Sequence, residues 1–236
     1  MLEKIIKFTS DDKDFIPHVK PSVYFIQEEY KKFSSFAEND MRFKTVKKCI
    51  PFLDALTCGY IIPVPFDLLF TYDEKENMVH FDLPSQLKGS GFEHKYKVTA
   101  HKNYQSSPEL RYNKRTVDIV FKFENPWHIK TPPGYSCIFT QPFNKNSLFK
   151  IIDGIVDTDT YPERVNFPFY WTNPAEEQVL LKRGEPMALV IPFKRQSWKH
   201  TIGKEDLKRS INTKKIFFGE FIEAYKKNIW SKKSFK

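Results

Sequence analysis

Apolar residues recur along this chain in short runs, and the spaces between them hold proline, glycine, asparagine and aspartate. Residues 116–123 alternate: Val117, Ile119, Phe121 and Phe123 share one side, Asp118 and Lys122 the other. That period of two predicts a half-buried strand. Strands are also expected over 3–9, 22–26, 61–72 and 78–83, with the charged turn 73–77 between the last two. Pro63 and Pro65 place the start of the 61–72 strand at a sheet edge. Over 45–56 the period changes, because Val46, Cys49, Ile50, Leu53 and Leu56 fall at helical spacing. Pro51 implies a kink or a late start in that helix, and Gly59 stands where a C-terminal cap falls. Residues 27–38 are polar, read as irregular or briefly helical. Residues 86–113 read as a long polar surface excursion.

The stretch 130–195 organises the rest. It opens with the turn Thr131-Pro132-Pro133-Gly134, which delivers an apolar run over 135–140. A carboxylate-rich segment follows, Asp153 to Asp159, then an aromatic strand over 165–172. A second turn, Arg183-Gly184-Glu185-Pro186, releases the apolar strand 187–193. Short strands punctuated in this way predict a mainly β fold. The expected architecture is a jelly-roll or β-clip-like antiparallel sandwich with one internal helix and C-terminal helices. Residues 1–200 form the β-rich domain in this reading. Residues 201–236 form a helical appendage packed on it, with helices over 204–211 and 214–230 and a frayed basic tail. Phe217, Phe221, Tyr225 and Ile229 fall four apart, and that spacing supports packing.

Composition narrows the picture without naming a function. Twenty-three Phe and eleven Tyr can fill a large core. The formal net charge of +9 permits an anionic partner, yet the cations are scattered, so nucleic acid is not the favoured partner. Tyr96, Tyr104 and Tyr112 among lysines and arginines could stack nucleobases, but a polar loop explains them as well. Three cysteines, Cys49, Cys58 and Cys137, lie far apart and fit a reducing, cytoplasmic setting rather than a disulfide framework. No apolar run is long enough to cross a bilayer, and no membrane partner is expected. Walker, G-x-S-x-G and H-E-x-x-H motifs are absent from the sequence.

The block Thr131 to Gly134, Gly154 to Asp159, Phe167 to Trp171 and Gly184 to Pro192 resembles an uncharacterised family of bacterial and phage proteins. That resemblance implies a shared fold and, for a phage product, the host cytoplasm. More distantly, the stretch is similar to the trimeric dUTPase and dCTP deaminase fold. The residues that carry the likeness are Pro133-Gly134-Tyr135, Gly154-Ile155-Val156-Asp157 and Gly184-Glu185-Pro186-Met187-Ala188-Leu189. It implies a homo-oligomer, a trimer in this case, with Asp157 as general base and Asp159 beside it. Tyr135 and Tyr161 would lie near a ligand. The chain departs from that family where Gln141-Pro142-Phe143-Asn144 replaces the phosphate-gripping serine motif and where the glycine-rich C-terminal loop is missing.

Two other constellations have alternatives that stay open. Asp153, Asp157 and Asp159 would crowd like charges on a strand, and a divalent cation such as Mg would relieve them; in a bend they bond their own backbone instead. His80 and Asp82 share a strand face, and His128 could complete a facial triad for Fe(II), as in a 2-oxoglutarate-dependent oxygenase. A polar strand end explains the same residues. No cofactor is expected in the leading reading, which is a non-enzymatic binding or structural, oligomeric module.

Overall fold

Alternation along the chain becomes antiparallel pairing in the computed structural model. The structure describes residues 4–38, 40–73, 75–76, 78–83, 89, 91, 97–101, 119–145, 147–172, 178–219 and 224–236. With strands numbered in chain order, one sheet runs β13 (Gly154–Val156), β11 (Tyr135–Thr140), β16 (Pro186–Lys194), β5 (Tyr60–Pro63) and β2 (Lys20–Pro21). A second runs β12 (Phe149–Ile151), β14 (Phe167–Trp171), β9 (Val120–Phe123) and β8 (Val98–Ala100). A third holds β15 (Gln178–Leu181), β6 (Leu68–Asp73) and β7 (Met78–Asp82). Two ribbons complete the set: β1 (Lys7–Thr9) with β10 (His128–Lys130), and β3 (Phe36–Ala37) with β4 (Asp40–Lys44). The fold is mainly β, with few helices, as the sequence pattern leads one to expect.

One core serves all three larger sheets. Phe139 of the first sheet meets Phe167 of the second at 5.8 Å between ring centroids. Phe70 of the third stacks on Trp171 of the second at 4.8 Å. Phe169 is fully buried and stacks on Phe123 at 4.1 Å. Its ring also meets Phe70, Phe121 and Phe149. Met187, Ala188, Leu189 and Val190 are all buried, so β16 is covered on both faces, which is why it reads as a continuous apolar run. Its outer neighbours include the turn Ser22–Phe25 and helix α2 (Ile50–Thr57), which line a shared crevice with Leu189 and Ile61.

Several expectations change once tertiary contacts are present. Residues 22–26 are not a strand; Ser22–Phe25 is a 3-10 turn. The Ser22 N–H donates to the Gly59 carbonyl at 3.1 Å and its hydroxyl to the Cys58 carbonyl at 2.7 Å, so this segment bonds a loop rather than a strand. Helix α1 (Glu28–Lys32) occupies part of 27–38. The 45–56 helix starts late: a 3-10 turn at Val46–Lys48 precedes α2, and Pro51 sits in its first turn, where no N–H is needed. The single strand expected over 61–72 is two, in different sheets. The Val64 N–H donates to the Glu185 carbonyl at 2.8 Å and the Gly184 N–H to the Val64 carbonyl at 2.9 Å, and this clasp turns the chain between β5 and β6. Strand β5 lies between β16 and β2, but β2 covers only Tyr60 and Ile61, so Pro63 is past the covered part.

At the C-terminus the two expected helices are divided differently, into α3 (Leu207–Gly219) and α4 (Ala224–Asn228). The Asp206 carboxylate accepts the Arg209 N–H at 3.1 Å and starts α3 there. Ala224 is buried and Tyr225 half-buried, Ile229 is exposed, and the side chains of Phe217 and Phe221 lie outside the described residues. The basic tail is held rather than frayed. Trp230 Nε1 and Lys233 Nζ reach the Asp54 carboxylate of α2 at 3.0 and 2.5 Å, and Phe235 meets Tyr60 at 5.9 Å. Of the excursion 86–113, strand β8 is described; Tyr96, Tyr104 and Tyr112 lie outside the described residues.

Gly59 does not act as a helix cap, because Cys58 already has extended geometry. Instead it lets the chain pass β16 closely. Its φ is +71°, and a Cβ there would lie 2.3 Å from the Val190 carbonyl oxygen. Gly59→Ala is therefore expected to cost about 2–4 kcal/mol, from a backbone that must move as well as from strain. Gly134, at φ +83° with open space around it, should lose only about 1 kcal/mol on the same change. Equal melting of the two variants would refute the close approach.

Candidate functional site

The hairpin of β11 and β13 positions the carboxylates singled out above. The turn at 131–134 closes with the Tyr135 N–H on the Pro132 carbonyl at 3.2 Å, and β13 pairs Val156 with Cys137. The chain leaves the sheet at Asp157. Its carbonyl then accepts the N–H groups of Thr160 and Tyr161 at 3.0 and 2.9 Å. The three aspartates thus straddle a short strand and a turn, and each has its own donor. Thr140 Oγ1 donates to Asp153 Oδ1 at 2.5 Å, Ser136 Oγ to Asp157 Oδ1 at 2.6 Å, and the Gly134 N–H to Asp159 Oδ2 at 2.7 Å. Neither alternative left open describes this arrangement: the carboxylates take these donors from the facing strand β11 and the turn before it rather than from their own bend.

Arg195, immediately past β16, locks the turn. Its guanidinium meets Asp159 through both arms, Nη1 to Oδ1 at 2.8 Å and Nη2 to Oδ2 at 2.5 Å. Nη1 also donates to Ser136 Oγ at 3.1 Å and lies 3.2 Å from Asp157 Oδ1. The Arg195 N–H closes the ring onto the Gly134 carbonyl at 2.9 Å. A fork-to-fork pair of this kind fixes orientation as well as charge. The Asp159 side chain is only 5% exposed, and the Arg195 hydrogen bonds hold its carboxyl well below the usual range. Asp159 in turn holds the guanidinium pKa up. Asp157 differs, with 60% of its side chain in solvent. Beneath the clamp, Thr131 and Thr158 hydroxyls lie 2.7 Å apart, and Thr158 Oγ1 donates to Cys137 Sγ at 3.3 Å. Burial pushes the Cys137 thiol up to about 11, so it is not a nucleophile near neutral pH.

The same turn leads into a polar cleft of about 430 Å³, lined by Glu124, Asn125, His128, Tyr161, Glu163, Arg164 and Asn166. Its floor is rigid. The Asn125 N–H donates to Asn166 Oδ1 at 3.0 Å, and Asn125 exchanges two hydrogen bonds with the Trp127 backbone at 2.9 and 3.0 Å. Arg164 Nε is buried without a hydrogen-bond partner among the described residues, and Nη2 stays 4.0 Å from Asp11. An unpaired buried donor in a residue that lines a cleft is an unmet demand for an acceptor.

The candidate residues fall into three places. Asp157 and Asp159 are in the clamp. Tyr161 and His128 come together in the cleft. Tyr135 is half-buried at the start of β11, with Lys4 Nζ 5.4 Å above its ring. The iron triad is not assembled: His80 and Asp82 are on β7 of the three-stranded sheet, while His128 is on β10 of a separate ribbon. Among the described residues, the ligand atoms that do converge, all within 4.8 Å, belong to Asp73, Glu76 and His80. Asp73 Oδ1 there accepts the Lys75 and Glu76 N–H groups at 2.9 and 3.1 Å, as an ordinary turn carboxylate does.

The chain matches no family model, no curated protein and no solved structure. The motif resemblances thus rest on the motifs alone, and function has to be argued from the site. Sequence reasoning missed Arg195, Ser136, Arg164 and Asn125. Arg195 is separated from Asp159 by 36 positions and follows an apolar strand without any motif. The nearest signal was its place directly after the strand released by the Gly184 turn.

Proposed function

We propose that the protein is a non-enzymatic binding module whose ligand enters the polar cleft beside the Arg195 clamp. The observation that carries this reading is a contrast in hydrogen bonding. The hairpin carboxylates are committed to donors within the chain, whereas Arg164, which lines the cleft, carries a buried Nε with no hydrogen-bond partner among the described residues. The ligand it suits bears an acceptor oxygen of carboxylate or phosphate type, held by Arg164 with His128 and Tyr161 alongside. Working assembly as a homo-oligomer is supported by strand β13, at the outer edge of its sheet, where Ile155 is 66% exposed. Three free cysteines agree with a reducing compartment such as the cytoplasm.

A thermal-shift series with succinate and with inorganic phosphate tests the cleft. Either probe should raise the melting temperature of wild type, and Arg164→Gln should lose that rise; a wild type unmoved by both sinks the reading. The exposed Asp157 keeps a nucleotide-binding alternative in view, and the same measurement separates it. Asp157→Asn is expected to melt lower, because Ser136 loses a charged acceptor, and dUTP or dCTP should shift neither protein. A nucleotide shift in wild type that the variant lacks would favour the alternative. Native mass spectrometry checks the assembly.

A further inference from the structure

Residues 195–214 leave the last sheet strand and run through solvent into α3. Four large apolar side chains here face water: Trp198 is 82% exposed, Ile202 96%, Leu207 67% and Ile211 52%. Apolar area concentrated in this way marks a contact surface. Cations are interleaved with it, at Lys199, Lys204, Lys208, Arg209 and Lys214. The carboxylates in the stretch are Glu205 and Asp206, and Asp206 is occupied in capping α3. The helix itself, with sequence LKRSINTKKIFFG, contains no acidic residue.

The partner must therefore offer both anions and apolar depth. A second copy offers the wrong charge, since the chain carries +9 overall. Nucleic acid supplies phosphates but leaves Ile202, Leu207 and Ile211 without an apolar environment. A bilayer with anionic headgroups satisfies both demands. Lipid phosphates pair with the lysines, the acyl boundary takes up the aliphatic side chains, and tryptophan favours the interface between them. We propose that residues 195–214 form a peripheral docking surface for an anionic phospholipid bilayer. No helix among the described residues is long and apolar enough to cross a membrane, so the contact lies at the surface and is reversible. A surface contact is thereby added to the sequence expectation of no membrane partner, and no spanning helix is found among the described residues.

Co-sedimentation of the whole chain with phosphatidylcholine vesicles, with or without about a third phosphatidylglycerol, provides the test. Binding is expected with the anionic vesicles, little with the neutral ones, and a loss in high salt. Trp198→Ser with Ile202→Ser should weaken vesicle binding by about tenfold or more while leaving the melting temperature unchanged, because both side chains are already in solvent. Lys204→Glu with Lys208→Glu should do the same through charge. No binding to anionic vesicles would overturn the proposal. So would equal binding by wild type and the apolar variant, or retention of a single-stranded oligonucleotide in place of vesicles.

Discussion

Phe169→Ala is expected to lower stability by about 3–5 kcal/mol, the loss of a fully buried aromatic side chain. Phe169 is fully inaccessible and sits where rings from two sheets converge: Phe123 stacks on it at 4.1 Å, Phe149 meets it at 5.4 Å, Phe121 at 5.7 Å and Phe70 at 6.4 Å. Truncation removes the transfer energy of the ring and also leaves a cavity. Rigid aromatic neighbours held on separate strands cannot collapse into it. For a chain of this size the melting temperature should drop by roughly 6–20 °C. Phe143→Ala, at a half-exposed loop position, should change it little. Comparable losses for both would mean that the second and third sheets do not share a core at Phe169.

Breaking the Arg195 clamp is expected to leave a distinct signature, a pH dependence. The folded-state pKa of Asp159 is depressed, first by the Arg195 hydrogen bonds and further by the Gly134 N–H, against an opposing burial effect. A depressed carboxyl stabilises the fold fully above its unfolded pKa, near 4, and loses that contribution as pH falls toward the folded value. Wild type should thus weaken progressively below about pH 4. Asp159→Ala should melt lower at neutral pH and show a shallower acid slope, because the titrating partner is gone. Arg195→Met should reproduce the loss at neutral pH. Acid slopes that stay identical in wild type and Asp159→Ala would show that the pair does not couple to folding.

The solvent-exposed carboxylate of the hairpin carries the functional question. Asp157 shares Arg195 and Ser136 with the clamp yet remains largely solvated, so losing its charge should cost less than losing Asp159. That ordering of the two variants is itself informative. A clamp whose outer member can be removed cheaply holds the turn that leads to Tyr161, Glu163 and Arg164, and so sets the shape of the cleft wall. Function by this account resides in a surface shaped by a rigid turn, not in the turn's carboxylates.

The strands were legible because period-two alternation is local. Val120–Phe123, Tyr135–Thr140, Phe167–Trp171 and Pro186–Lys194 stand within a few residues of where the apolar runs put them. Turn chemistry was legible for the same reason: Gly134 and Gly184 have the positive φ that their Pro-Gly and Arg-Gly contexts suggest. Local pattern failed where a distant backbone decided the outcome. Ser22–Phe25 has a strand-like composition but bonds the loop after α2, and 61–72 divides because Val64 is clasped by Gly184 and Glu185. Asp159 looked like half of a catalytic pair until Arg195 arrived from the end of β16, two strands across the sheet from β13. His80 and His128 looked like ligands of one metal until the fold set one on the three-stranded sheet and the other on a two-stranded ribbon. The sequence by itself determined the elements and the corners, because propensity and periodicity act over a few residues. Which side chains share a site was decided by tertiary structure alone, because hydrogen bonds and ion pairs depend on proximity that only the packed sheets create.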